Sequence, residues 1–480
     1  MKDKLLETID YLKSKGVQYA DIRFSRRDVE SIKVTNENVD TLSRTLDQGF
    51  GIRVLADGAW GFASSSKLTS GELKKVSNQA LKIAQASAIT KREDVKLDEG
   101  MVYNDHYKTP FQTDPFKVRL SRKINMLMKI NQTLQKKSEI KIAESSMAFF
   151  KTNKIFVNTD GSVIEQDLME SGAGYTATAV EGGEVQKRSF PNSHGGDFMT
   201  GGFEVIENMG LQRNANRVRE EAIQLLSAPP LPAGEADIII GASQMALQVH
   251  ESCGHPTELD RVLGTEISLA GGSFMSLDKL GSLQYGSDKV TIVHDATCEG
   301  GLGTFGYDDE GVKAQRMPLV DQGRFVGYLT SRETAGVVGQ NSNGCMRADG
   351  WNRIPLIRMT NINLEPGEWE LEDLIADTEG GFFLDTNKSW SIDDKRLNFQ
   401  FGVEAAWEIR NGKLKTLYKN PLYTGITPQF WNSCDAICNK NHWHIWGVAN
   451  CGKGEPMQVA HVAHGTSPAR FRKIQVGVSK

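Results

Sequence analysis

The run Pro229-Pro230-Leu231-Pro232, followed closely by Gly234, constrains the fold of this chain more than any other stretch. Proline has no backbone donor and fixes its own φ, so neither a regular helix nor a central strand passes through such a segment. With 480 residues, the chain is also longer than one hydrophobic core usually serves. The break therefore predicts two domains, residues 1–228 and residues 234–480.

Before the break, helix and strand patterns mix. Leu5, Ile9 and Leu12 have helical spacing and stop at Gly16. Alternating runs at 21–24 and 31–34 read as strands, and 51–55 reaches 59–62 through an Asp57-Gly58 hairpin turn. Thr69-Ser70-Gly71-Glu72 has capping-box form, and Leu73, Val76, Ala80, Ile83 and Ala84 trace one helix face after it. A further helix is expected from Pro115 to about residue 134. Two hairpins turn at Asp160-Gly161 and at Glu181-Gly182-Gly183, and 216–226 is helical in pattern. After the break, Ile238-Ile239-Ile240 reads as a buried strand, followed by one helix and then short strands between glycine-rich turns. The expected class is α+β: an N-terminal mixed α/β domain with an antiparallel sheet and helices, and a C-terminal, mostly antiparallel β domain.

Charge and cysteine usage narrow the function. A net charge of −4, from 56 basic and 60 acidic residues, gives no footprint for nucleic acid or an anionic membrane. The charged start, Met1-Lys2-Asp3-Lys4, carries no signal-peptide core, and no apolar run reaches membrane-spanning length. A soluble cytoplasmic protein is expected. Six cysteines in so long a chain do not form a disulfide scaffold, which leaves thiols available as ligands.

The chemistry concentrates at His250-Glu251-Ser252-Cys253-Gly254-His255. Met245, Ala246, Val249 and Cys253 have helical spacing, with Ser243 as the expected N-cap. Metal-binding histidines four apart share a helix face, but a spacing of five separates them by roughly 140° in a straight α-helix. The helix must therefore stop or distort at Gly254, through the glycine and Pro256 or through a π-bulge. A catalytic zinc site needs neutral imidazoles, a nearby carboxylate off the metal and an open position. Glu251 is the expected base, and a third ligand must come from elsewhere: a cysteine, a histidine or a carboxylate. Cys451, expected in a glycine-flanked turn where Lys453 would favour thiolate, is the strongest candidate.

Other residues compete for attention. Cys434, Cys438, His442 and His444 have spacing that could serve a separate structural zinc, although buried or incidental cysteines explain them more simply. Asp308-Asp309-Glu310 reads as a solvated loop, with some part in shaping a cleft. His461 and His464 could approach the metal if Cys451 does and donate to an oxyanion, but each reads more simply as a surface or core histidine.

Along nearly its whole length the chain resembles the TldD/PmbA family, in its HExxxH-containing TldD-like branch. The resemblance rests on Tyr19-Ala20-Asp21-Ile22-Arg23, on 51–63, on the HExxGH motif with Glu258 and Asp260, on 307–312, on Arg358-Met359-Thr360-Asn361 and on Cys451-Gly452-Lys453. It implies a zinc peptidase in which His250, His255 and Cys451 hold Zn2+ and Glu251 activates water. It also implies two-domain α+β subunits that pair around a chamber, as a homodimer or as a heterodimer with a homologue lacking HExxxH. The implied substrates are unfolded or extended peptides. The alternative, from the family's older description, is a non-catalytic regulator of a protein partner such as DNA gyrase.

Overall fold

The computed structural model describes residues 1–269 and 271–478. Helix α1 (Lys2–Ser14) ends where Gly16 turns left-handed at φ +72°. It leads into strands β1 (Tyr19–Thr35), β2 (Asn38–Ala56) and β3 (Ala59–Ser65). The β2–β3 turn places both Asp57 and Gly58 at positive φ, as a tight hairpin requires. Helix α2 (Ser70–Ala88) is capped by Thr69, whose side chain accepts from the Glu72 amide.

The sheet continues with β4 (Asn104–Lys108), then, after helix α3 (Leu120–Leu134), with β5 (Ile140–Asn158), β6 (Val163–Glu181), β7 (Glu184–Phe190) and β8 (Asp197–Thr200). Its order is β3-β2-β1-β5-β6-β4, with β7 and β8 also paired to β6. Only β4 joins it in parallel. Ile22 and Ile52 pack with α1 and α2, whereas Ile32 and Val34 pack with α3 and with α5 (Leu211–Ser227), which follows the short α4 (Glu204–Asn208). The even-numbered residues of β1 thus serve two helical clusters at opposite ends of one strand. Ile83, expected on the buried face of α2, is instead 37% exposed, because Leu73, Val76, Ala80 and Ala84 already fill the contact.

Past the prolines, β9 (Gly234–Ile240) enters the second half of the chain. Ile238 and Ile240 belong to the large cluster that holds Met245 and Val249, while Ile239 packs on the other side with Leu374 and Ile409. A strand buried on both faces needs three consecutive apolar residues, and that is what the triplet provides. β9 pairs in parallel with Gly380–Ile392 and antiparallel with Ala469–Val478. Pairing continues through Pro421–Ile426 and Asn398–Arg410 back to Gly380–Ile392, closing a small five-stranded barrel. Expectation and structure differ here in strand length, since Gly380–Ile392 and Asn398–Arg410 run 13 residues each. Outside the barrel lie a four-stranded sheet and the hairpin of His444–Lys453 with Gln458–Thr466.

The acidic run Asp308-Asp309-Glu310 is not a solvated loop. All three residues are buried. Glu310 accepts from Arg53 at 3.2 Å and Asp309 from Lys154 at 3.1 Å, so the run meets cations of β2 and β5. Such long-range pairing lets Asp309 and Glu310 leave water, while Asp308 accepts from the main-chain amides of Glu310, Val312 and Met346.

Candidate metal centre

Helix α6 (Ala242–Val249) starts at Gly241, which is its N-cap. Ser243 makes no capping bond, contrary to the reading of the sequence. The helix then widens into a π-turn over His250–Gly254, in which the His255 amide donates to the His250 carbonyl. That i to i+5 bond brings residues five apart onto one face, which a 3.6-residue turn does not allow. The two imidazoles lie 4.8 Å apart and nearly perpendicular. Gly254 stays in the right-handed region, so its requirement is space rather than φ. A Cβ there would lie 2.0 Å from Met359 Sδ.

Cys451 arrives on the strand His444–Lys453, beside an irregularity in its pairing with Gln458–Thr466. It is therefore a strand residue, and the expected glycine turn lies just beyond it. Its Sγ is 3.5 Å from His250 Nε2 and 3.7 Å from His255 Nε2. All three ligand atoms lie within 4.8 Å of one another.

The donor set fits a zinc ion: two imidazole nitrogens and one sulfur converge, with no carboxylate among them. Burial lowers the pKa of both His250 and His255, keeping the lone pairs that ligation needs. Burial raises the Cys451 thiol, but His255 and Arg358 outweigh it and the net shift is downward, toward thiolate. Lys453, expected to favour that thiolate, instead donates to Asp260 at 2.7 Å and to the Ile357 carbonyl.

A second layer of side chains orients the first. Glu258 Oε2 accepts from His255 Nδ1 at 3.0 Å and from Arg261 Nε at 2.7 Å. Although burial alone would raise its pKa, Lys453, Arg261 and His255 hold Glu258 well below the ordinary carboxylate range. Arg358 donates to the Cys451 and Gln458 carbonyls, fixing the hairpin from behind. Glu251 is buried and paired with Arg396, which sits at the tip between the two long barrel strands with φ +63°. The partnership of Glu258 had a visible signal, its place three residues after His255. Arg396 lies 145 residues from Glu251 and had none.

The remaining candidates separate. His464 contacts His250, 2.7 Å from its Nδ1. His461 faces the N-terminal sheet, where Glu170 Oε2 lies 2.7 Å from its Nδ1 and Arg27 Nη2 lies 3.0 Å from its Nε2. Cys434 and Cys438 belong to different apolar clusters, His442 binds Glu370, and His444 binds Asp197. Among the described residues these four form no common metal-binding group.

Residues 233–478 match the family model of the PmbA/TldA metallopeptidase C-terminal domain, and residues 20–84 match domain 1 of the same family. The chain belongs to the PmbA/TldD metallopeptidase family. A metalloprotease of Methanocaldococcus jannaschii is 31% identical to it, over 93% of this chain and 95% of that one. A Saccharolobus solfataricus protein named a zinc metalloprotease TldD homolog is 22% identical over 96% and 97% of the two chains. The crystal structure of TldE from Thermococcus kodakarensis shares the fold with a TM-score of 0.78 at 17% identity, covering 99% of this chain and 100% of that one. Within this PmbA/TldD chain, the His250, His255 and Cys451 group is thus a candidate metal site of a metallopeptidase.

Proposed function

We propose that this protein is a zinc-dependent peptidase that hydrolyses unfolded peptides, with His250, His255 and Cys451 as ligands and Glu251 as general base. The observation that carries the reading is the convergence of two imidazole nitrogens and one sulfur within 4.8 Å, beside a buried carboxylate. Zinc bound there would polarise the scissile carbonyl and acidify the attacking water. Glu251 would take the proton of that water and return it to the departing amine. Arg396 holds Glu251 through Oε2. Oε1 has no hydrogen bond among the described residues and is the atom left to carry the proton. Burial of all four side chains keeps bulk water away from the exchange.

The same reading includes a division of the chain at residues 229–233 and pairing of subunits, either identical or with a homologue lacking HExxxH. It also includes a cytoplasmic location. No helix among the described residues is long and apolar enough to cross a membrane. Native mass spectrometry of the purified protein checks the pairing: a species of two subunits is expected, and a monomer alone contradicts it.

The deciding experiment is hydrolysis of a reduced, alkylated polypeptide by wild-type protein and by Glu251→Gln. Loss of a general base typically costs about 10²- to 10⁴-fold in rate, so Glu251→Gln should lose activity on that scale while retaining zinc. Wild-type turnover by the pure variant would remove Glu251 from the mechanism. If the purified protein carries no stoichiometric metal and a chelator leaves its biological effect untouched, the non-catalytic alternative gains the ground.

A further inference from the structure

We infer that His464 is a positioning residue that fixes the tautomer and orientation of the metal ligand His250; the inference rests on the ligand assignment above. His464 lies on the strand Gln458–Thr466 and is fully buried. Its two ring nitrogens face two different partners. Nδ1 lies 3.1 Å from the Ile362 carbonyl and Nε2 lies 2.7 Å from His250 Nδ1. A carbonyl oxygen only accepts, so the His464 proton resides on Nδ1 and the ring presents the lone pair of Nε2. His250 must then donate through Nδ1–H, which leaves its Nε2 unprotonated and directed at the space it shares with Cys451 and His255. The direction of the whole chain, from His250 to His464 to the Ile362 main chain, is set by a group that has no proton to give.

The opposite assignment fails on charge. Were His464 to donate from both nitrogens, it would be a cation, and the contacts of its two ring nitrogens are a carbonyl and a second imidazole, neither of them a carboxylate. A fully buried cation without a counter-charge is costly. His255 is backed differently, by the Glu258 carboxylate, so the two ligand imidazoles have unequal support. His464 also ties the ligands together mechanically. Its strand pairs with the one carrying Cys451, in register Trp446 to His464 and Cys451 to Ala460. Rotation of the His250 ring is thereby coupled to the hairpin that delivers the sulfur.

Partners behind metal-bound histidines typically contribute 10- to 100-fold in metal affinity. The test is zinc affinity, measured by competition with a chromophoric chelator, for His464→Leu and His464→Gln. Leucine fills the space but accepts nothing, and its affinity should fall about 10- to 100-fold. Glutamine offers a carbonyl oxygen to His250 and an amide to Ile362, and should restore affinity to within about threefold of wild type. Equal affinity for wild type and the leucine variant would overturn the assignment, as would equal losses in both variants. A second measurement does not depend on the variants folding: nitrogen-15 NMR of histidine-labelled, zinc-loaded protein should show His464 protonated at Nδ1 and bare at Nε2. A proton on Nε2 would overturn the relay. Failure of the ligand reading is distinguishable, because wild-type protein would then bind no stoichiometric zinc.

Discussion

Individual residues in this protein are constrained by contacts that arrive from far along the chain. Gly254 is the sharpest case, since a Cβ would meet Met359 Sδ at 2.0 Å. Gly254→Ala should destabilise the protein by about 1–3 kcal/mol, a typical cost of overpacking. Pairing it with Met359→Ala should recover part of that loss. Denaturation midpoints of the single and double variants check this, and additive losses would contradict it. His294 makes a pH prediction. Its ring is fully buried, with Nε2 on the Asn343 carbonyl and Nδ1 on the Thr360 hydroxyl, and burial lowers its pKa from 6.5 to about 4. The unfolded chain binds the proton more readily, so the His294 contribution is present above pH 6.5 and is lost as pH falls toward 4. The full shift corresponds to about 3 kcal/mol. Urea titrations at neutral and acid pH should show that slope, and His294→Gln should flatten it; an unchanged slope would contradict the account. The spacing of His250 and His255 was legible in the sequence because it is local. The contacts of Glu251 with Arg396 and of His250 with His464 were not, because nothing near either residue encodes a partner 145 or 214 residues away.

At the scale of elements, the π-turn over His250–Gly254 is the device that brings histidines five apart onto one face. The need for a distortion at this point follows from helix geometry alone; the structure takes the π-turn, with Met359 packed against Gly254. The turn carrying Arg396 is the second such device. An L-residue at φ +63° is held there against its own preference, by roughly 1 kcal/mol. Arg396→Gly relieves that strain but strands the buried Glu251 carboxylate, a loss of about 3–5 kcal/mol that outweighs it, so the thermal midpoint should fall while activity falls about 10- to 100-fold through loss of the Glu251 contact. Full activity in that variant would show that the ion pair does not position the base. Long strands such as Asn398–Arg410 escaped the sequence because their glycines, Gly402 among them, read as turns, although here the barrel accommodates them.

The two halves of the molecule meet through buried charge. Arg53 on β2 pairs with Asp21 on β1 and reaches Glu310 in the second half, and Lys154 on β5 reaches Asp309. The acidic run looked like surface because composition cannot reveal a cation some 150 or 250 residues upstream, at about the separations of these pairs. Arg53→Met strands two buried carboxylates and should cost about 3–5 kcal/mol, the usual penalty for breaking a buried pair from one side. A change under about 1 kcal/mol in the denaturation midpoint analysis would contradict a joining role. X-ray absorption at the zinc edge of the zinc-loaded protein reads the ligand set itself. One sulfur at about 2.3 Å and two imidazole nitrogens at about 2.0 Å are expected, with the sulfur lost in Cys451→Ser. A zinc shell without sulfur in the wild-type protein would contradict that ligand set.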